Sequence, residues 1–432
     1  MRDRQILQIA LPSIVSNITV PLLGMVDVAI VGHMGSAVYI GAVAVGSMVF
    51  NLIYWLFAFL RMGTSGITSQ ALGRRDLPGV SAILLQSVRT ALVIALVLIA
   101  AQVPLRWLMF WLICPTPDVA PYAATYFYIV IWGAPASLGL FCLSGWFIGM
   151  QNTRFPMFIS IMQNVVNILA SLLLVYALGM KTEGVALGTV VAQYAGLLAA
   201  VALLVRYYGR VVRRYWRRAW QGSRGACRGI FAVNRDIFLR TLCLVAVNLF
   251  FTAAGARHGA VVLSVNTVMI QFYLFFSYFM DGFAYAGEAL CGRFYGARNV
   301  RAFSETLRRL FLWAAAVTLL FTLAYMLGGM RFLEMLTDEP AVVATAHDFF
   351  GWVWLIPVAG AAAFIWDGVF IGITATRGML VSSAVAAATF FIVYYVFCGT
   401  MGNHALWLAQ VVYLAMRGIV QTVWFLADLI NL

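Results

Sequence analysis

The sequence predicts an all-α polytopic membrane protein: twelve transmembrane helices in two parallel six-helix repeats, or lobes, around a central cavity. Three observations predict it. The chain is 63% hydrophobic and 10% charged, against roughly a quarter charged in a soluble domain. Apolar runs long enough for a bilayer, which needs about 20 residues, recur throughout, as in "TALVIALVLIAAQVPL" (90–105) and "LFLWAAAVTLLFTLAYMLGGM" (310–330). Finally, "SGWFIGMQNTR" (144–154) returns as "DGVFIGITATR" (367–377), with six of eleven positions identical at an offset of 223.

Taken in order, the spans fall at about 9–31, 39–61, 86–105, 121–145, 156–178, 184–206, 237–256, 260–285, 309–329, 345–366, 379–399 and 405–427. Twelve spans leave no room for a soluble catalytic domain. The basic start, Met1-Arg2-Asp3-Arg4, precedes a long apolar stretch broken by proline and lacking a small-residue cleavage site, so it reads as the first span rather than a leader.

The net charge of +13 comes from 27 arginines and one lysine, and position decides what it means. With the N-terminus in the cytoplasm, the inside loops hold Arg74, Arg75, Arg154, Arg293, Arg298, Arg301, Arg308, Arg309 and Arg377. Residues 206–235 add nine more. The outside loops hold little beyond Arg106, Lys181, Arg257 and Arg331. That asymmetry is the positive-inside rule, so topology rather than nucleic acid accounts for the charge. An inner-membrane protein with both termini cytoplasmic follows. The six cysteines form no CxxC pair and the four histidines are dispersed, so neither a disulfide framework nor a metal site is expected.

The repeat extends beyond one helix end. Gly73-Arg74-Arg75-Asp76 returns as Gly296-Ala297-Arg298-Asn299, Ser81 as Ser304, and the stretch from Pro117 as that from Pro340. Six spans separate the copies, and an even number preserves orientation, so the lobes are expected to be related by a pseudo-two-fold axis along the membrane normal. The division is 1–207 for the N-lobe, 208–235 for a basic cytoplasmic linker and 236–432 for the C-lobe. Within the linker, Tyr208, Val212, Tyr215 and Ala219 share one helical face opposite arginines, the pattern of a helix lying on an anionic leaflet.

Polar groups at membrane depth are the informative ones, because a charge there costs at least ~2.5 kcal/mol. Asp27, late in span one, should face the interior, and a carboxyl group whose charge is that costly can exchange a proton. The alternative is a structural Asp held by arginine or amides. Pro12 and Pro21 lie in the same helix, and Pro21 is the expected hinge. Span five carries Gln163, Asn164, Asn167 and Ser171 along a single face; span six adds Thr189 and Gln193, and Asn17 completes the N-lobe set. Such groups line a polar cavity or glue helices together, the latter for under ~2 kcal/mol each. In the second half Asp281, Glu288, Asp367 and Asn248 are the polar candidates. For Asp281 and Asp367 a salt bridge to Arg240 or Arg61 is the alternative to a transport role.

The stretches "LPSIVSNITVPLLGMVDVAIVGHMG", "FLRMGTSGITSQALGRRD", "FMDGFAYAGEALCGRFYGARN" and "WDGVFIGITATR" resemble the multidrug and toxic compound extrusion (MATE) family, in its DinF-type branch, and the resemblance spans essentially the whole chain. It implies export of organic cations or other lipophilic compounds against an inward H+ or Na+ gradient. Asp27 matches the family's first-helix protonation site, and Asn167 and Thr189 match polar residues of the same N-lobe site. Ser171 stands where some relatives have an acid. Asp367 matches an Asp implicated in Na+ binding, but span seven lacks the Glu that completes that site. The expectation is therefore an H+-coupled antiporter, a monomer without cofactor, moving cationic or amphipathic small molecules among membrane lipids. A Na+-coupled antiporter or a lipid-linked-sugar flippase is the alternative; a flippase would need a strongly cationic cavity. The enzyme motifs HExxH and GxSxG are absent from the sequence.

Overall fold

Helices account for the architecture. The computed structural model describes residues 2–32, 36–337 and 339–430, with backbone only at 20, 22–25, 28, 31, 32, 37, 216–230 and 428–430. The helices are α1 (Arg2–Gly32), α2 (Ala37–Leu56), α3 (Phe59–Gly73), α4 (Leu77–Ala100), α5 (Gln102–Ile113), α6 (Ala120–Val130) and α7 (Ala134–Gly149). They continue as α8 (Arg154–Leu172), α9 (Thr182–Ala256), α10 (Ala260–Gly296), α11 (Val300–Leu336), α12 (Pro340–Phe349), α13 (Gly351–Gly372), α14 (Thr376–Met401) and α15 (Asn403–Ile430). Among the described residues no strand occurs. Among the described residues eleven segments are long and apolar enough to cross a membrane, and α1 precedes them as a helix of 31 residues. The second span is built of α2 and α3 in tandem, running Val38–Gly73. The short helices α5 and α12 follow spans three and nine and were not signalled by hydropathy.

The duplication is written into the backbone. Asp76 caps α4 by accepting from the Gly79 amide at 2.9 Å, and Asn299 caps α11 by accepting from the Ala302 amide at 3.0 Å. Arg75 (φ 59°) and Gln151 (φ 64°) take the left-handed conformation, and so do their counterparts Arg298 (φ 54°) and Thr374 (φ 57°). Helix contacts repeat as well. Gly145 of α7 sits against the Arg61 carbonyl of α3, and Gly368 of α13 against the Ala284 carbonyl of α10. One turn on, a Cβ at Gly149 would lie 2.7 Å from the Ser65 carbonyl, and one at Gly372 would lie 2.7 Å from the Glu288 carbonyl. All four glycines and their partners stand at the offset of 223. Only a residue without a side chain lets two backbones approach this closely.

Contacts divide the chain into two compact units, Val15–Phe231 and Met1–Ile14 with Ala232–Leu432. The first fourteen residues thus cluster with the second half, whereas the sequence division drew 1–207 together. Polar and packing contacts account for it: Asp3 accepts from the Trp313 indole at 3.1 Å and pairs with Arg309 at 3.4 Å, Arg2 pairs with Glu305 at 3.2 Å, and Gly282 packs on Ala10 and Ile14.

In the first unit Trp146 donates to the Val80 carbonyl at 3.0 Å, within a buried cluster that includes Ile83, Leu84, Leu143, Phe147 and Ala200. Tyr208 and Val212 pack on this cluster, and Tyr208 meets Trp146 edge-on at 5.0 Å. This corrects the linker reading: the face expected to lie on the leaflet begins as an extension of span six, turned toward the core. The side chain of Ala219 lies outside the described residues. In the second unit Asn266 and Asn403 exchange amide hydrogen bonds at 2.8 and 2.9 Å. The Trp407 indole adds a third at 2.8 Å, which ties α10 to α15.

Candidate functional site

Asp27 and Ile30 lie on one face of α1, and both are buried, at 7% and 5% exposure. Asp27 Oδ1 has no hydrogen-bond partner among the described residues, and none of their basic side chains lies at ion-pair distance from Asp27. What does lie near is Tyr126 of α6, within electrostatic reach of the carboxyl group and in hydrogen-bonding contact with Ser47 and Thr189. Gly46 of α2 leaves room for the Tyr126 ring.

From Thr189 the network passes into α8. The Asn167 amide donates to Thr189 Oγ1 at 3.4 Å, and Ser171 donates to Asn167 Oδ1 at 3.1 Å. Asn167 and Ser171 are one turn apart on the buried face of α8, which is why one helix presents both. Gly188 lets α9 close against Ser171. One turn further along α8, Asn164 donates to the Thr19 carbonyl of α1 at 2.9 Å, and Ser160 shares a hydrogen bond with Thr19 Oγ1 at 3.1 Å. The polar stripe therefore divides in two: Asn167, Ser171 and Thr189 form one hydrogen-bonded group, while Ser160 and Asn164 fasten α8 to α1 beside Pro21. Gln163, half-buried against Gly196, stands outside this network. Asn17 is half-buried, ten residues before Asp27 on α1. α1 remains helical through both prolines.

The second half treats its aspartate differently. Asp367 Oδ2 accepts from both Arg240 of α9 and Arg417 of α15, and Asp367 Oδ1 accepts from Gln421 at 2.6 Å. All four side chains are buried. The pairing with Arg240 is present, but within the second unit and not between the halves as the sequence reading expected, and Arg417 doubles it. Asp281 is half-buried on α10, in the electrostatic neighbourhood of Tyr273 and Tyr278. Glu288 is buried at 1% exposure where α10 crosses α13. Asn248 is exposed and donates back to the Leu244 carbonyl of its own helix at 3.4 Å. Among the described residues no cluster of histidine, cysteine and carboxylates could hold a metal ion.

The MatE family model matches residues 12–173 and again residues 237–396, once in each half. The chain belongs to the MatE family. A MatE relative, DNA damage-inducible protein F of Escherichia coli (strain K12), is 37% identical over 420 residues, covering 96% of this chain and 90% of that one. A crystal structure of MATE in the bent conformation superposes with a TM-score of 0.87 at 19% identity, over 98% of this chain and 94% of that one. A variant of the Vibrio cholerae MATE transporter VcmN superposes with a TM-score of 0.87 at 16% identity, over 100% of this chain and 98% of that one. These likenesses fix the MatE fold of twelve helices. The protein is a multi-pass membrane transporter.

Three contributors escaped the sequence reading. Arg417 and Gln421 are one turn apart inside an otherwise apolar run, "YLAMRGIVQTVWF" (413–425), and that signal could have found them. Tyr126 carried no comparable signal, since tyrosine is common in apolar spans.

Proposed function

We propose that this MatE transporter exports lipophilic, cationic organic compounds in exchange for protons, and that Asp27 is the group that takes and releases the proton. The observation that carries the proposal is the burial of Asp27 without a basic partner among the described residues. A lone ionised carboxylate in an apolar medium is costly, so a proton or a cationic substrate is its natural companion. When the proton leaves, a substrate cation can neutralise the carboxylate; when the proton returns from the outside, the cation is released. Tyr126, Thr189 and Asn167 supply hydroxyl and amide groups that tolerate either state. One charge moved across about 100 mV supplies about 2.3 kcal/mol to the cycle.

Asp367 supports H+ rather than Na+ as the coupling ion. Its carboxylate is already matched by two guanidinium groups, whereas a sodium site needs oxygen ligands left free of fixed cations. The same pairing consumes the arginines that a lipid-linked-sugar flippase would turn toward phosphate. Proteoliposomes loaded with a fluorescent organic cation test the proposal. Wild-type protein should move it under an imposed H+ gradient with Na+ absent, and Asp27→Asn should reduce that flux to the level of empty liposomes. Transport by Asp27→Asn at the wild-type rate, or transport that requires Na+, would overturn the reading.

A further inference from the structure

On the face of the second unit formed by α11, α13 and α15 lies a groove of 410 Å³ lined by Ser304, Leu307, Arg308, Phe311, Trp366 and Phe425 among others. Its walls are aromatic and aliphatic. The Trp366 indole N–H is already engaged by Thr422 Oγ1 at 2.8 Å, and Trp366 meets Phe311 edge-on at 5.2 Å and Phe425 at a tilt at 4.7 Å. The groove therefore offers an apolar, aromatic lining and concentrates its charge at one place, Arg308.

Arg308 is exposed and has no ion-pair partner among the described residues. The nearby acids are engaged elsewhere, Asp3 with Arg309 and Glu305 with Arg2. Arg301 and Ser304 lie two turns and one turn before Arg308 on the same face of α11. Arg308 stands eight residues inside the helix start at Val300, about 12 Å along the axis. That depth suits a side chain reaching outward to a headgroup layer.

The repeat supplies an internal control. At the offset of 223 the groove residues Leu307, Arg308, Phe311 and Trp366 correspond to Leu84, Leu85, Val88 and Leu143. There the arginine and the two rings are missing, and Leu84, Val88 and Leu143 pack into one apolar cluster. The first half fills with its own side chains the place that the second half leaves open and marks with a cation.

We infer that this groove is a binding site for an anionic phospholipid of the cytoplasmic leaflet, with the phosphate on Arg308 and Ser304 and an acyl chain along Phe311, Trp366 and Phe425. Charge complementarity selects the occupant: a cation without a protein partner sits at the end of an apolar trough on a membrane-embedded surface. The site lies outside the Asp27 region and does not depend on the coupling ion.

The test is native mass spectrometry of the full-length protein in detergent, titrated with dioleoyl-phosphatidylglycerol or dioleoyl-phosphatidylcholine. Wild type should retain one phosphatidylglycerol in preference to phosphatidylcholine. Arg308→Gln should weaken that retention about fivefold, the weight of one basic side chain at an anionic surface, and leave phosphatidylcholine unchanged. Ser304→Trp, which fills the groove without removing charge, should weaken it as well, and Leu85→Gln in the other half should have no effect. Equal retention of both lipids, or wild-type retention by Arg308→Gln, overturns the inference. So does displacement of the lipid by inorganic phosphate alone, which would make the site a simple anion contact, or by a lipophilic organic cation, which would make it a peripheral substrate site.

Discussion

At the scale of single residues, two buried aspartates of similar exposure have opposite meanings. Asp27, 7% exposed, lacks a basic neighbour among the described residues, whereas Asp367, 8% exposed, is held by two arginines and a glutamine. Removing the charge should therefore have opposite effects on stability. Asp367→Asn strands two buried guanidinium groups and should cost about 3–5 kcal/mol, read as a lowered unfolding temperature in detergent. Asp27→Asn should leave that temperature unchanged or raise it while transport is lost. A matching fall in Asp27→Asn would mean that a partner fixes this carboxyl group too. The burial of both aspartates was legible in the sequence, because an isolated acid in an apolar span has few places to go. Their difference was not, since it depends on Arg417 and Gln421, 50 and 54 residues further along, and no spacing rule links residues so far apart.

At the scale of helices, tight crossings determine what can change. α13 meets α10 through Gly368 and Gly372, as α7 meets α3 through Gly145 and Gly149. Gly372→Val should push the backbones apart at the Glu288 carbonyl and prevent accumulation of folded protein, measured as monodisperse material after solubilisation. Gly399, with no atom near its missing Cβ, should accept the same change with at most about 1 kcal/mol of effect. The α1–α8 fastening makes a gentler case. Asn164→Ala removes the donor to the Thr19 carbonyl beside Pro21, and losing one such bond in a membrane typically costs about 0.6 kcal/mol. The expected outcome is altered transport kinetics at nearly unchanged unfolding temperature. Helix positions were readable because hydropathy reports burial against lipid. The extended second span, the short α5 and α12, and the inward face of Tyr208 were not, because each depends on what a neighbouring helix offers.

At the scale of the whole molecule, the duplication organises the fold while the chemistry diverges. Caps, left-handed turns and glycine crossings recur at one fixed offset; the buried acids Asp27, Glu288 and Asp367 do not. Asp367 replaces Ser144. The repeat was visible from loops and glycines alone, since backbone requirements tolerate few residue types. The clustering of the first fourteen residues with the second half had no counterpart in the sequence, because hydropathy does not say which neighbour a helix chooses.

The mirrored turns carry a practical consequence. Arg75 and Arg298 occupy a conformation that penalises a side chain by roughly 1–2 kcal/mol, yet both are exposed at helix junctions. Installing glycine at both positions should harden the protein in two additive steps, each at most about 1 kcal/mol after the entropy that glycine adds to the unfolded chain. Because the two junctions are copies, a thermal-shift assay on one variant forecasts the other, and the doubled protein would be the sturdier starting material for imaging.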